Sequence, residues 1–295
     1  MEGLKKYIKE NHKSLFTMLH KIKAIVISLM VCITNFFYTL KVRLIGDDKR
    51  LRAPRVLKNR YAGRRCFIVA TGPSLKIEDL EALKDEVTIS VNSIVKILNQ
   101  TDFVPTVYIT QDKFFLRDNK DLINTLNSQS VFIGISDMGN RHGKPEEAIT
   151  FEDVKDLNNV QYFNLNLSYN FDRWRYLGPP WKKKFSFDVE KEVFDGGNVT
   201  YSAIQFAAYM GCKNIYLVGV DNGVKNGKKI HMTDEEVDEE YIKSLNNDKR
   251  FELFQDEFIY AYQCLKKHGI NLYNATRGGA LEGIPRVNLD DIINE

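Results

Sequence analysis

Residues 65–92 read RCFIVATGPSLKIEDLEALKDEVTISVN, and the rest of the chain can be arranged around this stretch. An apolar run leads into a turn, a helical pattern follows over residues 75–85, and a second apolar run ends at Asn92. This alternation of strand, turn, helix and strand predicts an open α/β sheet. The turn after the first strand consists of Thr71, Gly72, Pro73 and Ser74.

That turn is a candidate anion site. In an open α/β sheet it faces the ligand crevice, and free N–H groups at the following helix start favour an anion. We therefore expect a nucleotide or a sugar phosphate there, with Gly72 leaving space for the phosphate or the ribose. The turn lacks the lysine of a P-loop and the three spaced glycines of the dinucleotide fingerprint. Proline behind a small residue is also an ordinary way to begin a helix, so that alternative stays open.

The remaining chain continues the alternation of strands and helices, which predicts a largely parallel sheet. Residues 136–195 break this rhythm with an aromatic and basic run, and we interpret them as a lid, with a plain surface subdomain as the alternative. Further strands are expected at residues 87–91, 106–110, 130–135, 161–165, 214–218 and 271–273, and helices at residues 112–126, 200–211 and, in two pieces, 234–267.

The first 55 residues differ in character from the rest of the chain. Residues 24–40 carry no charge over 17 positions and are flanked on both sides by lysines and arginines. Such flanks suit a helix that lies in the interface of an anionic membrane. We expect residues 1–55 to form a membrane-associated arm, with residues 15–55 at the membrane surface, and residues 56–295 to form the catalytic domain. A helix that covers the core or pairs with another subunit is the alternative.

The chain has 295 residues and a net charge of +3, enough for one large α/β domain and an appendage. It contains no D-x-D pair, no clustered His and Cys, and no G-x-S-x-G elbow. These absences argue against the commonest metal-dependent sugar transferases and against serine hydrolases. We expect no metal and no nucleic acid as partners.

A general base remains to be identified; histidine is the usual choice near pH 7, and the chain has five. His12 and His20 lie in the basic arm, and His268 suits a helix C-terminus. His231 follows a predicted strand end, where the sites of such folds collect, and is favoured over His142 in the predicted lid. Other polar or small residues that follow predicted strands are Asn92, Gln111, Asp112, Gly219, Asp221, Asn274 and Thr276.

Several motifs together resemble a bacterial family of 6-hydroxymethylpterin diphosphokinase-like proteins, which includes the flagellin motility-associated factor glycosyltransferases. They are FIVATGPSL, VNS, NVTYSAIQFAAYMGCKNIYLVGVD, GKKIH and NATRGGALEGIP, within residues 59–287. Their order is similar, more distantly, to the sialyltransferases of glycosyltransferase family 42. The resemblance implies a Rossmann-like, mostly parallel sheet with helices on both faces. The inserted lid and the N-terminal membrane-associated helix are expected from the residues described above.

In those sialyltransferases a Gly-Asn-Gly-Pro-Ser loop and a following Asn hold the CMP part of the donor, and a histidine beyond a Gly-x-Asp strand end acts as base. Here Thr71 replaces the first Asn, Asn92 matches the second, and His231 falls near the base. The Thr-Ser-Gly segment of the family falls near Asn198 and Thr200.

The resemblance implies a metal-independent glycosyltransferase that passes a nonulosonic acid from a CMP donor to a cell-surface glycan. It would work at the cytoplasmic face of the bacterial inner membrane, without a cofactor, and homo-oligomerisation is left open. The expected catalytic residues are His231 and Asp221. The expected donor-binding residues are Thr71, Gly72, Pro73, Ser74, Asn92, Gln111, Asp112, Asn198, Thr200, Gly219, Asn274 and Thr276.

Two alternatives stay open. A pterin diphosphokinase would need Mg²⁺, with carboxylates such as Asp112 and Asp221 around an ATP triphosphate. A nucleotide-binding membrane scaffold without catalysis is the other, suggested by Thr71 in place of the usual Asn.

Overall fold

The computed structural model describes residues 54–128, 130–136, 149–166, 184–222, 231–232 and 250–294, with scattered positions before residue 40. Over these ranges the chain forms one sheet of 8 strands in the order β6-β5-β4-β3-β2-β1-β7-β8, and every neighbouring pair is parallel. The predicted α/β fold with a mostly parallel sheet is confirmed. The strands are β1 Arg65–Val69, β2 Thr88–Val91, β3 Val107–Thr110, β4 Ser130–Ile135, β5 Gln161–Asn166, β6 Val193–Phe194, β7 Asn214–Val218 and β8 Asn271–Asn274.

Helices cover both faces of this sheet. Side chains of β1 alternate between two separate apolar clusters, with Cys66 and Ile68 in one and Phe67 and Val69 in the other. Strands buried on both faces are apolar throughout, which explains the continuous apolar runs in the sequence. The α-helices are α1 Ile77–Ala82, α2 Lys113–Asp118, α3 Lys120–Asn124, α4 Phe151–Val154, α5 Val199–Tyr209, α6 Arg250–Lys267 and α7 Leu289–Ile293, and 3₁₀ helices cover Asn92–Lys96 and Leu98–Gln100.

The strand order contains one reversal. The chain lays down β1 to β6 in one direction and then returns to place β7 on the other side of β1. In sheets of this kind the ligand crevice opens where the order reverses, at the carboxyl ends of the two flanking strands. The fold therefore directs attention to the turns that follow β1 and β7.

The most deeply buried helix is α5, whose eleven residues are all buried against the sheet. Its start is capped by Asn198, whose side chain accepts a hydrogen bond from the Tyr201 N–H at 3.0 Å. Gln205, fully buried within it, accepts hydrogen bonds from the backbone N–H of Ser186 at 2.9 Å and of Phe194 at 3.0 Å. This buried amide fastens the two-residue edge strand β6 to the core.

The structure differs from the sequence prediction around residues 112–126. A single helix was predicted, but the chain forms α2 and α3 with a break at Asn119. The Asn119 side chain donates to the Phe115 carbonyl at 2.8 Å, a local bond that competes with continued helix formation.

Part of the predicted lid belongs to the sheet, because α4, β5 and β6 lie within residues 136–195. The predicted strand at residues 161–165 is confirmed as β5. Residues 137–148 and 167–183 lie outside the described residues, so the lid stays a prediction.

The predicted membrane segment, residues 24–40, lies largely outside the described residues. Before it, residues 13–19 are helical, and the side chains of Leu15, Met18 and Leu19 are exposed. Within the part of the chain that the structure describes, no helix is both long enough and apolar enough to cross a membrane.

Candidate active site at the carboxyl edge of the sheet

The turns after β1 and β7 are joined directly to each other. The Gly72 N–H donates to the Gly219 carbonyl at 2.8 Å. A Cβ added to Gly72 would lie 1.9 Å from Asp221 Oδ2 and 2.5 Å from the Gly219 oxygen. Glycine is therefore required there by the neighbouring turn. This contact is a reason for glycine that the sequence did not indicate, and a donor contact at Gly72 stays a prediction.

Asp221 lies at the centre of this junction. Its carboxylate accepts a hydrogen bond from Ser74 Oγ at 2.8 Å and a longer one from the Ser74 N–H at 3.4 Å. Its carbonyl accepts from the Ala280 N–H at 2.6 Å, which ties in the turn after β8. Asp221 thus holds three turns together, a role that neither motif nor spacing indicated.

The Asp221 carboxylate is also electrostatically unusual. Burial raises its pKa, while hydrogen bonds from Ser74 and the positive charges of Arg286 and His231 offset part of that rise. Buried carboxylates with a raised pKa are common in functional sites, and this one lies at the carboxyl edge of the sheet. Its nearness to His231 places both predicted catalytic residues in one corner of the sheet.

His231 lies against the turn after β1. Its Nδ1 is 3.5 Å from Thr71 Oγ1, and the next residue, Met232, donates its N–H to the Thr71 carbonyl at 2.8 Å. The Met232 side chain packs on the apolar cluster beneath. The chain therefore brings His231 to the strand reversal, as its position in the sequence suggested, and its catalytic role stays a prediction.

Other histidines lie elsewhere. His12 is exposed in the arm, and His268 is exposed at the end of α6, with Nδ1 3.0 Å from the Cys264 carbonyl. His20 and His142 lie outside the described residues, so the comparison with a lid histidine stays open.

Asn92 directly follows β2, the neighbour of β1, and has a positive φ of 40°. Asparagine tolerates this conformation better than most residues. Thr110 Oγ1 donates to its side-chain oxygen at 3.0 Å, and Tyr108 OH donates to its carbonyl at 3.0 Å. Its Nδ2 has no hydrogen-bond partner within the described ranges, so the amide is oriented by Thr110 and can donate to a ligand.

The start of α5 reaches the same edge of the sheet. The Asn198 Nδ2 is buried and has no hydrogen-bond partner among the described residues, while its oxygen caps the helix. Thr200, two residues further on, is also buried. Within the described ranges the Asn198 amide can still donate one hydrogen bond, and its contact with the donor stays a prediction.

Gln111 is held in a network within the protein. Its Nε2 donates to Asp195 Oδ1 at 3.0 Å, and its Oε1 accepts from Ser202 Oγ at 2.7 Å. The same Asp195 oxygen accepts from the Gly197 N–H at 2.9 Å. This network joins the end of β3 to the start of α5. Neither a periodic pattern nor a motif in the sequence pointed to Asp195 or Ser202.

Three further predicted donor ligands have structural roles. Asn274 is fully buried, with its amide donating to the Leu281 carbonyl at 3.1 Å and its oxygen accepting from the Thr276 N–H at 3.1 Å. Thr276 Oγ1 accepts from the Val220 N–H at 3.0 Å. Asp112 is exposed and caps α2 through the Phe115 N–H at 2.9 Å. These hydrogen bonds give each of the three residues a structural role that needs no ligand. Contact with the donor stays a prediction for each of them.

A shared ion between Asp112 and Asp221 does not fit this layout. Asp112 follows β3 and Asp221 follows β7, three places apart in the sheet. At about 4.8 Å per strand, they are separated by about 14 Å. Across the described ranges, moreover, no group of three or more His, Cys, Asp or Glu side chains is placed to hold a metal ion.

The solved structures that are similar to this chain include the following two. The MAf glycosyltransferase from Magnetospirillum magneticum AMB-1 is similar over 82% of this chain and 38% of that chain, at 17% identity and a TM-score of 0.48. This chain thus spans well under half the length of that protein. The sialyltransferase CstII from Campylobacter jejuni, in complex with a substrate analogue, cytidine-5'-monophosphate, is similar over 77% of this chain and 86% of that chain, at 15% identity and a TM-score of 0.43.

No curated protein matches the chain. A family model, described as 6-hydroxymethylpterin diphosphokinase MptE-like, matches residues 48–227. Because that match covers more than half of the chain and includes the turns after β1 and β7, the protein belongs to the 6-hydroxymethylpterin diphosphokinase MptE-like family.

Proposed function

We propose that this protein is a metal-independent glycosyltransferase that passes a nonulosonic acid from a CMP-linked donor to a glycan acceptor. The observation that carries the proposal is the position of His231, with Nδ1 3.5 Å from Thr71 Oγ1 at the strand reversal. An imidazole there can take a proton near neutral pH from a group bound in the crevice. The identity of the donor is taken from the resemblance of the motifs around Thr71, Asn92 and His231.

In this mechanism the acceptor hydroxyl attacks the anomeric carbon while the bond from that carbon to the nucleotide phosphate breaks. The bonding electrons leave with the phosphate oxygen, and His231 takes the hydroxyl proton. The side-chain amides of Asn92 and Asn198, which have no hydrogen-bond partner among the described residues, would donate to oxygens of the donor. Asp221 would hold the turns in place and lend negative charge beside His231 as the imidazolium forms.

Thermal-shift measurements with CMP, CDP, UDP and ATP, each with and without Mg²⁺, test this proposal. We expect CMP to stabilise the protein without Mg²⁺, since a ligand at 100 times its Kd adds about 2.7 kcal/mol to the stability of the folded state. Asn92→Ala should reduce the CMP shift, whereas Asp112→Ala, at an exposed helix cap, should keep it. Stabilisation by ATP that depends on Mg²⁺, with none by CMP, would contradict the proposal.

A pterin diphosphokinase is the second candidate, because the family description names that activity. It would use Mg²⁺ to bind the ATP triphosphate, with Asp112 and Asp221 as the expected carboxylates. Their separation by three strand positions favours the transferase. A scaffold without catalysis was suggested by Thr71, but Thr71 contacts the proposed base, which favours an enzyme.

We also propose that the basic, apolar arm holds the protein at the cytoplasmic face of the bacterial inner membrane. The apolar side chains of Leu15, Met18 and Leu19 are exposed, and lysines accompany them in the sequence. Deleting residues 1–50 should abolish sedimentation with anionic vesicles and keep the CMP thermal shift. Sedimentation of the shortened protein with the vesicles would contradict membrane attachment through the arm. If the full chain instead self-associates without binding vesicles, the arm is an oligomer interface.

A further inference from the structure

We infer that Thr71 is a positioning residue that holds Nδ1 of His231, so that Nε2 takes the acceptor proton. The inference rests on the proposed function, because it assumes that His231 is the base. It assigns the opposite ring nitrogen, and a specific tautomer, to the reaction.

Thr71 is a fixed point on the sheet edge. Its side chain is buried, and its residue is 5% exposed. The Ala70 N–H before it donates to the Val218 carbonyl at 2.9 Å, and its own carbonyl accepts from the Met232 N–H at 2.8 Å. A β-branched side chain on a fixed backbone has little rotational freedom, so the hydroxyl position is set by the fold.

The Thr71 hydroxyl is the more fixed partner of this pair, because Thr71 is buried whereas His231 is exposed. Within the described ranges, the Thr71 hydroxyl has the His231 ring as its sole hydrogen-bond partner. The separation of 3.5 Å is long, as catalytic hydrogen bonds often are before substrate binds.

The single proton of a hydroxyl decides the tautomer. When Thr71 donates its proton into the crevice, to water or to a phosphate oxygen of the donor, its oxygen can only accept from the ring. Nδ1 of His231 then carries the hydrogen, and Nε2 carries the lone pair that a base needs. Binding a phosphate at the turn would therefore favour the reactive tautomer.

Two variants distinguish the contribution of the Thr71 hydroxyl from that of the side-chain shape. Thr71→Val keeps the branched shape and removes the hydroxyl, and Thr71→Ser keeps the hydroxyl. We expect Thr71→Val to lower kcat about tenfold, the effect of one positioning hydrogen bond. Thr71→Ser should stay within about threefold of wild type. Equal kcat for wild type and Thr71→Val would overturn the inference.

Nitrogen NMR of the histidine rings gives a readout that does not depend on turnover. At pH 8.5, where an imidazole is neutral, His231 should carry its hydrogen on Nδ1 in the wild type and in Thr71→Ser, with and without CMP. Thr71→Val should lose this preference. A wild-type ring with its hydrogen on Nε2, or the same tautomer in all three proteins, would overturn the inference.

The two proposals fail differently. If His231→Ala transfers sugar at the wild-type rate, the proposed function of His231 fails, whatever the tautomer. If His231→Ala is inactive while Thr71→Val is fully active, only the positioning role of Thr71 fails.

Discussion

Replacing Gly72 by alanine should lower the stability of the folded protein. A substitution that only blocked a ligand would leave that stability unchanged. The added Cβ would lie 2.5 Å from the Gly219 carbonyl oxygen and 1.9 Å from Asp221 Oδ2. A carboxylate can rotate away, but a backbone carbonyl can move only with its turn. That movement would strain the Gly72 to Gly219 hydrogen bond of 2.8 Å and the Ser74 to Asp221 bond of 2.8 Å.

The magnitude can be worked out from these contacts. Overpacking a close-packed site costs about 1–3 kcal/mol, and each hydrogen bond that is lost costs about 1 kcal/mol. We therefore expect Gly72→Ala to lower the free energy of unfolding by about 2–4 kcal/mol. For a domain of this size that corresponds to a fall in Tm of roughly 4–16 °C.

Gly278→Ala is the matched control, in the same cluster of turns. Its added Cβ would be 3.7 Å from Ser74 Cβ and 4.0 Å from Asp221 Oδ1, which are ordinary contacts. Urea unfolding followed by circular dichroism would compare both variants with wild type. Equal unfolding midpoints for Gly72→Ala and Gly278→Ala would show that the two turns do leave room for a side chain at Gly72.

Two other predictions concern charged residues. Burial raises the pKa of Asp221, so its contribution to stability is present below its unfolded pKa and is lost as pH rises through the folded pKa. Asp221→Asn should therefore gain stability relative to wild type as pH rises from about 4 to 7. Urea unfolding of both proteins across that pH range would measure the gain. A difference in unfolding free energy that does not change with pH would contradict the prediction. Arg277→Ala should cost about 1–2 kcal/mol, allowing for its partial exposure, because it leaves the buried Asp79 without its partner at 2.8 Å. Asp290→Ala, at the exposed partner, should cost less, and an equal loss in chemical unfolding would count against the role of Asp79.

The main architecture could be predicted from the sequence because strands that are buried on both faces form continuous apolar runs. The runs at residues 130–135 and 214–218 match β4 and β7 residue for residue. Elements of two to five residues were missed, namely β6, α4 and α7, because they are too short to show a period. Their formation depends on tertiary contacts such as the buried amide of Gln205.

The location of a site residue could be predicted where its position after a strand was sufficient, but its contacts with distant segments could not. His231 was placed by its distance beyond β7, and the structure sets it beside Thr71. Gln111 has the same strand-end position, but Asp195 and Ser202 hold both ends of its amide. Sequence spacing does not reveal such partners.

The reason for Gly72 was also hidden. A small residue in a strand-end turn suggests space for a ligand, yet here the space is filled by another turn, residues 219–221, nearly 150 positions later in the chain. Reasoning from the local sequence identified an important glycine but could not reveal its contact with this distant turn.

The role of His231 is tested by comparing sugar transfer by wild type, His231→Ala and His268→Ala, using a CMP-linked nonulosonic acid and measuring CMP affinity in parallel. His268 is the control, because it is exposed at the end of α6. We predict that His231→Ala binds CMP with nearly wild-type affinity but transfers sugar about 10²–10⁴-fold more slowly, while His268→Ala behaves as wild type. Wild-type transfer by His231→Ala would contradict the proposed mechanism, as would activity that requires ATP and Mg²⁺.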